Sequence, residues 1–334
     1  MHDRTQGRVG YVVPVEAVTP REAIDLARLA ERAGFSGTMA ADTFQPWLPS
    51  LGQAPNVWPL LGAQAEHTTG DFGVGMAVAG GRMHPAAIAQ AAATLGALHP
   101  GRHWLSLGGG EALHEHVVGE YWPEAPERIA RLFEAVEIVK RLFAGAHADR
   151  EVRYDGERFR LESARLWTMP DVAPHVLVAT SGPVTARRAG RQADGLLAVA
   201  VQQQQAAQLL ERFHEGAREV GKDPATMPAW LHLNISWAAT QEEAERAVVE
   251  RYPMAAMRFA RGDLRSPHVV EQIARLVRPE DFGGRLPVSA DPADHLAEIR
   301  AYLDMGYDRV LLHNVGVNQV AFLETFGRDV LPAL

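Results

Sequence analysis

An α/β chain closed into a (β/α)8 TIM barrel is what this sequence predicts, as one domain over residues 1–334 with insertions at its C-terminal face. Three observations lead there. Short apolar runs alternate with amphipathic helical stretches in one continuous series. Eight such runs occur, each followed by a helix, and eight units close into a parallel barrel more readily than they lie in an open sheet. The 334 residues are 47% hydrophobic, enough for one large core, although length alone also permits two ordinary domains.

RVGYVV (8–13) is the first strand, and PREAIDLARLAERAGF (20–35) the first helix. Pro20 suits the first helical turn, Thr19 can cap it and Gly34 ends it. SGTMAA (36–41) is strand two, with a helix over 56–68. FGVGMAVAG (72–80) is strand three, before the helix HPAAIAQAAATLGALH (84–99). RHWLSLGGG (102–110) is strand four, ending in glycines, and a helix follows over 128–145. HVLVAT (175–180) is strand five, with a helix from about Pro183. DGLLAVA (194–200) is strand six, with a helix through 221. AWLHLNISWAA (229–239) and DRVLLHNVG (308–316) are strands seven and eight, and a last helix covers about 317–328.

Two stretches break the rhythm. EVRYDGERFRL (151–161) reads as a hairpin with Asp155 and Gly156 as its turn. Residues 252–290 form a lid-like insertion, late in the chain, where a substrate cap could sit.

Composition removes several function classes. A net charge of −8 argues against nucleic acid or a membrane surface as the main partner. No run of apolar residues is long enough to span a bilayer, and MHDRTQGRVGYVV lacks the layout of a secretory signal. The absence of cysteine excludes disulfides, cysteine-ligated zinc and cysteine nucleophiles, and fits a cytoplasmic protein without requiring it.

Active sites of such barrels lie at the C-terminal ends of the strands. That points to Glu16, residues 42–47, residues 77–82, residues 108–114 and residues 180–183. In ATSGPVTARRAG (179–190) a strand runs through Ser-Gly-Pro into a helix, a place for an anion or for an ordinary capped turn. In SLGGGEALHEH (106–116) three glycines allow close approach of a ligand, and Glu111 follows as a candidate acid or base, or as a solvated carboxylate. His114 and His116 point to different helix faces and no third ligand is evident, so no metal is expected. Glu16 alone reads as a surface carboxylate. Trp47 and Trp58 flank a Gly/Pro-rich loop and either stack on a planar ligand or pack that loop. No G-x-G-x-x-G, Walker A or G-x-S-x-G pattern stands in a suitable context.

Taken together and in order, GYVVPVEAVTPREAIDLARLAERAGF, ADTFQPW, HPAAIAQAAATLGALHPGR, GGGEALHEHVVGEYWP, SGPVTARRAGRQADG and LETFGRDVLPAL resemble the luciferase-like flavin/deazaflavin oxidoreductases. Within that superfamily they are most similar to the F420-dependent glucose-6-phosphate dehydrogenase group. The resemblance implies a barrel, a homodimer, and coenzyme F420 lying across the strand C-termini. Asp42 matches the cofactor-contacting aspartate. Ala77 and Val78 match a pair around a cis peptide that backs the ring. Gly110 and His114 match cofactor-contacting positions, the latter usually Asn. Ser181, Gly182 and Pro183 match the segment around the cofactor phosphate. Glu16, Trp47 and Glu111 match active-site positions.

The departures bear on substrate. The group carries a histidine, its catalytic base, between the aspartate and phenylalanine of its D-H-F-Q-P-W motif, and here that position is Thr43. Its two phosphate-binding lysines fall on Gln202 and Gln272, with Arg285 retained. A threonine hydroxyl holds a hydrogen bond but takes no proton near neutral pH. The leading expectation is therefore an F420-dependent oxidoreductase moving hydride to or from an unphosphorylated small molecule, a carbonyl, an alcohol or an activated C=C or C=N group. Glu111 would be the proton carrier, with Thr43 and Glu16 assisting. The alternatives are an FMN-dependent monooxygenase and a barrel that binds F420 without turnover.

Overall fold

The computed structural model describes residues 8–199, 202–257, 259 and 261–334. Eight parallel strands close into a barrel: β1 (Val9–Val12), β2 (Gly37–Ala41), β3 (Asp71–Ala77), β4 (His103–Leu107), β7 (His175–Thr180), β8 (Gly195–Val199), β9 (Ala229–Ile235) and β10 (Arg309–Asn314). Their order around the barrel is β1-β10-β9-β8-β7-β4-β3-β2, so sequence neighbours are spatial neighbours and β10 closes onto β1. All eight expected strands are present. They stop short of the glycine and proline segments at their C-terminal ends, which leave the ladder to form the mouth. The expected sixth strand ran to Ala200, which lies outside the described residues.

Alternation along each strand builds two cores. Outward residues such as Tyr11, Phe72, Leu105 and Val178 pack against the surrounding helices. These include α1 (Pro20–Arg32), α2 (Val57–Ala65), α3 (Pro85–Leu98), α5 (Ala125–His147), α6 (Pro183–Gln192), α7 (Gln203–Glu219), α10 (Pro292–Met305) and α11 (Gln319–Thr325). Inward residues fill the barrel with an apolar plug of Val12, Met39, Trp104, Leu177, Leu197 and Leu311. Trp104 meets Trp230 edge to face at 4.7 Å. Below them Arg309 stacks on Trp230 and pairs with Asp71 at 2.7 Å. Helix α1 starts as its sequence requires: Thr19 caps it, Glu22 reaches back to the Thr19 N–H at 2.8 Å, and Pro20 fills the first turn.

The hairpin is β5 (Val152–Asp155) with β6 (Arg160–Ala164). Its turn is not the expected two-residue Asp155 and Gly156. Asp155 pairs with Arg160, and the Gly156 N–H donates to the Phe159 carbonyl, so residues 156–159 make a four-residue loop. Glu134 of α5 accepts from the Arg158 and Phe159 N–H groups, which fixes the wider loop.

Residues 252–290 lie between α8 (Gln241–Arg251) and α10 and fold into short turns around α9 (Pro267–Ala274). Two small apolar clusters hold them down. One joins Val248, Ala256, Phe282, Leu286 and Val315. The other joins Met254, Met257 and Val270 to Leu48 of the loop after β2. Tyr252 packs on both.

Candidate active site

The strand ends make a mouth whose first wall is β3. Its pairing with β4 shifts register between Val74 and Ala77, and Met76 takes φ 82°, left-handed for a non-glycine residue. Ser106 holds this bulge: its hydroxyl donates to the Val74 carbonyl at 3.1 Å and accepts the Met76 N–H at 2.8 Å. The implied cis peptide at Ala77 and Val78 is not found, since no peptide bond among the described residues is cis. A trans bulge displaces the strand there instead. Ala77 and Val78 remain buried at the mouth.

Glycine is required opposite that wall. A Cβ on Gly108 would stand 2.2 Å from the Met76 side chain. Gly110 has φ 77°, and a Cβ there would stand 2.8 Å from Val78. The flat apolar surface thus depends on both glycines.

Two arrangements of charge flank it. Arg82 donates to Asp42 at 3.0 Å and to Glu115 at 2.9 Å, tying together the loops after β2, β3 and β4 with all three side chains largely buried. Burial pushes the Glu115 carboxyl up while Arg82 pulls it down. Glu115 Oε2 has no protein partner, and Glu115 lines a small cleft of about 30 Å³ between residues 78–81 and 108–109. Neither Arg82 nor Glu115 was singled out from the sequence, and only the expectation that residues 77–82 follow a barrel strand came near.

The second arrangement gathers Glu16, Trp47, Glu111 and His114. Glu16 accepts the Trp47 N–H at 2.7 Å. Glu111 precedes the short helix α4 (Ala112–Glu115), and its Oε2 lies 3.6 Å from His114 Nε2. His114 is buried and meets the Trp47 ring edge-on at 6.0 Å. Burial raises Glu16 to about 7, against the pull of His114 and the Trp47 N–H, with the Glu111 charge adding to the rise. The Glu16 carboxyl, which sequence alone reads as a surface group, is partly buried and raised above the ordinary carboxylate range. Gln45 donates to the Leu113 carbonyl at 2.7 Å and locks the two loops together.

Thr43 is 6% exposed and its hydroxyl has no protein partner. His114 Nδ1 is likewise unpartnered, whereas His116 places its Nδ1 2.6 Å from the Ala112 carbonyl. Trp58 turns away from the mouth toward His103 on the outer layer, so it packs the fold.

At the end of β7, Ser181 is exposed and its carbonyl accepts from Gln205 at 2.8 Å. The Gly182 N–H already donates to Thr180 at 3.0 Å, and Pro183 has none, so α6 offers an anion its remaining first-turn amides.

A larger cavity of about 430 Å³ opens under the described residues of 252–290. Gln202, Gln205, Asn234, Tyr252, Arg261 and Arg285 supply its polar lining, and among the described residues no acidic side chain lines it. Gln202 and Arg285 line this cavity, and Gln272, exposed on α9, does not. Arg261 also lines it and donates to the Met254 carbonyl at 3.1 Å.

An unpartnered buried hydroxyl, a flat apolar wall cleared by glycines and a helix start able to hold phosphate fit a planar, phosphate-bearing cofactor such as a flavin or deazaflavin. Comparison with known proteins agrees. The chain is 32% identical to an F420-dependent glucose-6-phosphate dehydrogenase of Microbacterium testaceum over 330 residues, 98% of this chain and 97% of that protein. It is 34% identical to its counterpart in Segniliparus rotundus, over 98% of each chain. The solved structure of an F420-dependent secondary alcohol dehydrogenase in complex with an F420-acetone adduct superposes with a TM-score of 0.91 at 28% identity, covering 98% of this chain and 99% of that one. The coenzyme F420-dependent tetrahydromethanopterin reductase of Methanopyrus kandleri shares the fold, with a TM-score of 0.80 at 19% identity over 98% of this chain and 99% of that one. The family model of luciferase-like monooxygenases matches residues 4–309, and the chain belongs to that family.

Proposed function

We propose that this chain is an F420-dependent oxidoreductase that interconverts an alcohol and a carbonyl on a small oxygenated substrate. The observation that carries the reading is the cluster of Glu16, Trp47, Glu111 and His114 at the strand ends, where Glu16 accepts the Trp47 N–H at 2.7 Å and burial raises its carboxyl to about 7. A proton carrier works best when its pKa lies near the operating pH. When bound, the deazaflavin supplies the hydride donor or acceptor. Ala77, Val78 and Gly110 would back its ring, Asp42, Thr43 and His114 would meet its polar edge, and the start of α6 would hold its phosphate.

The protein's own part is the proton and the pose. Glu16 takes the proton of a substrate hydroxyl or returns it to a carbonyl oxygen. Glu111, 3.6 Å from His114, sets the charge around Glu16 rather than carrying the proton itself. Thr43 supplies a hydrogen bond where the relatives' group has its base.

The substrate sits in the larger cavity, and residues 252–290 serve as its lid. Two guanidinium groups without a lining carboxylate favour a substrate that carries an anionic group. This differs from the expectation of an unphosphorylated substrate, which rested on Gln202 and Gln272 standing in place of two lysines. A homodimer in the cytoplasm belongs to the same reading, and light scattering tests the assembly.

Fluorescence titration with F420 and with FMN, followed by turnover assays with glucose 6-phosphate and with acetone plus reduced F420, tests the proposal. F420 should bind at low-micromolar Kd or better, about −8 kcal/mol. Tighter FMN binding would favour a monooxygenase, and tight F420 binding without turnover of either probe or of a wider panel of alcohols would favour a barrel that only binds it.

A further inference from the structure

The floor of the larger cavity holds a polar pair that proton transfer through Glu16 does not use. Asn234 of β9 lines the cavity and is 3% exposed. His313, its register partner on β10, places Nδ1 2.8 Å from Asn234 Oδ1. An amide oxygen only accepts, so His313 Nδ1 carries the proton and donates it. That bond turns the amide NH2 the other way, and Asn234 Nδ2 has no partner in the protein. A buried donor left unpaired is costly, which marks it as a group awaiting a partner.

His313 is not itself among the lining residues. Its ring packs edge-on against Tyr252 at 6.2 Å and beside His232 at 6.0 Å. Burial holds it down at about 4, so it stays neutral and its bond to Asn234 persists at neutral pH. His232, buried and held at about 3, adds no charge. The arrangement is rigid: two neighbouring strands, one imidazole, and one amide whose orientation is set.

We propose that Asn234 is a specificity-determining hydrogen-bond donor to an oxygen of the substrate, and that His313 is the positioning residue that fixes its amide. The inference rests on reading the larger cavity as the substrate site. The pair selects a substrate presenting an oxygen acceptor to the end of β9, and rejects an analogue with a methylene or hydrogen there, because the amide would then stay buried and unpaired.

Long-range ¹H–¹⁵N spectra of histidine-labelled protein read the tautomer of His313, with H313Q assigning the signal. The neutral Nδ1–H form is expected, and an Nε2–H form overturns the proposal, because Asn234 would then turn its oxygen to the cavity. Asn234→Leu and His313→Leu should each raise KM by tenfold or more for the probe turned over, glucose 6-phosphate or acetone, with F420 Kd changed less than twofold. His313→Gln, which can donate from the same place, should restore KM to within about threefold. An unchanged KM in Asn234→Leu, or a parallel loss of F420 affinity, marks the pair as structural and overturns the proposal. A protein that turns over neither probe counts against the proposed reaction, and the tautomer alone then decides on the pair.

Discussion

Arg82 and Asp42 are joined at 3.0 Å across two loops that the sequence separates by forty residues. The same guanidinium reaches Glu115, so one cation neutralises one of two buried carboxylates. Removing one partner of a buried ion pair leaves an uncompensated charge. Arg82→Met should destabilise the fold by roughly 2–4 kcal/mol at pH 8. In that variant Glu115, already raised by burial, would lose the pull of Arg82 that lowers it. Its penalty is absent where the group is protonated folded and unfolded, and grows as pH rises. Urea unfolding of variant and parent at pH 5 and pH 8 checks the sign: the deficit must be the larger at pH 8.

Glu16 makes a matching prediction without its partner's removal. Its folded pKa, about 7, stands above the ordinary carboxyl value of 4.5. Below 4.5 the group is neutral folded or unfolded and contributes nothing. Above 7 the folded state bears the cost of a desolvated charge. Glu16→Gln should therefore match the parent at pH 4.5 and exceed it by about 1–2 kcal/mol at pH 8, since Gln can still accept the Trp47 N–H. Turnover should fall by about 10²-fold or more, and the alkaline-side dependence near pH 7 should vanish from kcat. Glu111→Gln should leave that dependence in place with a shifted midpoint. Loss of the pH 7 dependence in Glu111→Gln but not in Glu16→Gln would return the proton to Glu111.

Thr43→Val separates the two uses of a hydroxyl. Its Oγ1 is buried without a protein partner, so the methyl should leave the cofactor-free protein as stable or slightly more stable. F420 or substrate should bind about fivefold more weakly, the worth of one hydrogen bond near 1 kcal/mol. Melting curves with and without F420 should move in opposite directions, and a shared direction would mean that Thr43 meets no ligand.

Gly110→Ala tests the wall. The new Cβ meets Val78 at 2.8 Å on a left-handed backbone. Strain of about 1–3 kcal/mol is expected, together with a loss of F420 affinity of tenfold or more. Gly101→Ala, also left-handed but with open space around its Cβ, serves as the control for backbone strain alone: its F420 affinity should be unchanged.

The barrel was legible because alternation and helical periodicity are local. Tyr11 points out and Val12 points in wherever the strand is placed, and Thr19, Pro20 and Glu22 announce α1 without any knowledge of the rest. The mouth was partly legible for the same reason, since strand ends name the loops that reach it. Glu16 was found but undervalued, because its burial and its neighbours Trp47, Glu111 and His114 are set by the fold and no window of sequence brings them together. Arg82 was passed over because its meaning lies in Asp42 and Glu115. Residues 252–290 carry no period, so nothing in the sequence sets Arg261 and Tyr252, rather than Gln272, in the lining of the larger cavity. Asn234 and His313 looked like ordinary strand residues, and only the register of β9 on β10 sets them face to face.

The apolar plug beneath the mouth also governs traffic. Trp104, Trp230 and the Arg309–Asp71 pair close the barrel at its floor, so on the proposed reading both ligands would reach their places from the mouth. A molecule seated against the β3 wall would then enter first and leave last, with the substrate turning over above it. Steady-state kinetics should accordingly be ordered, with F420 leading, and product inhibition should be competitive between oxidised and reduced cofactor alone.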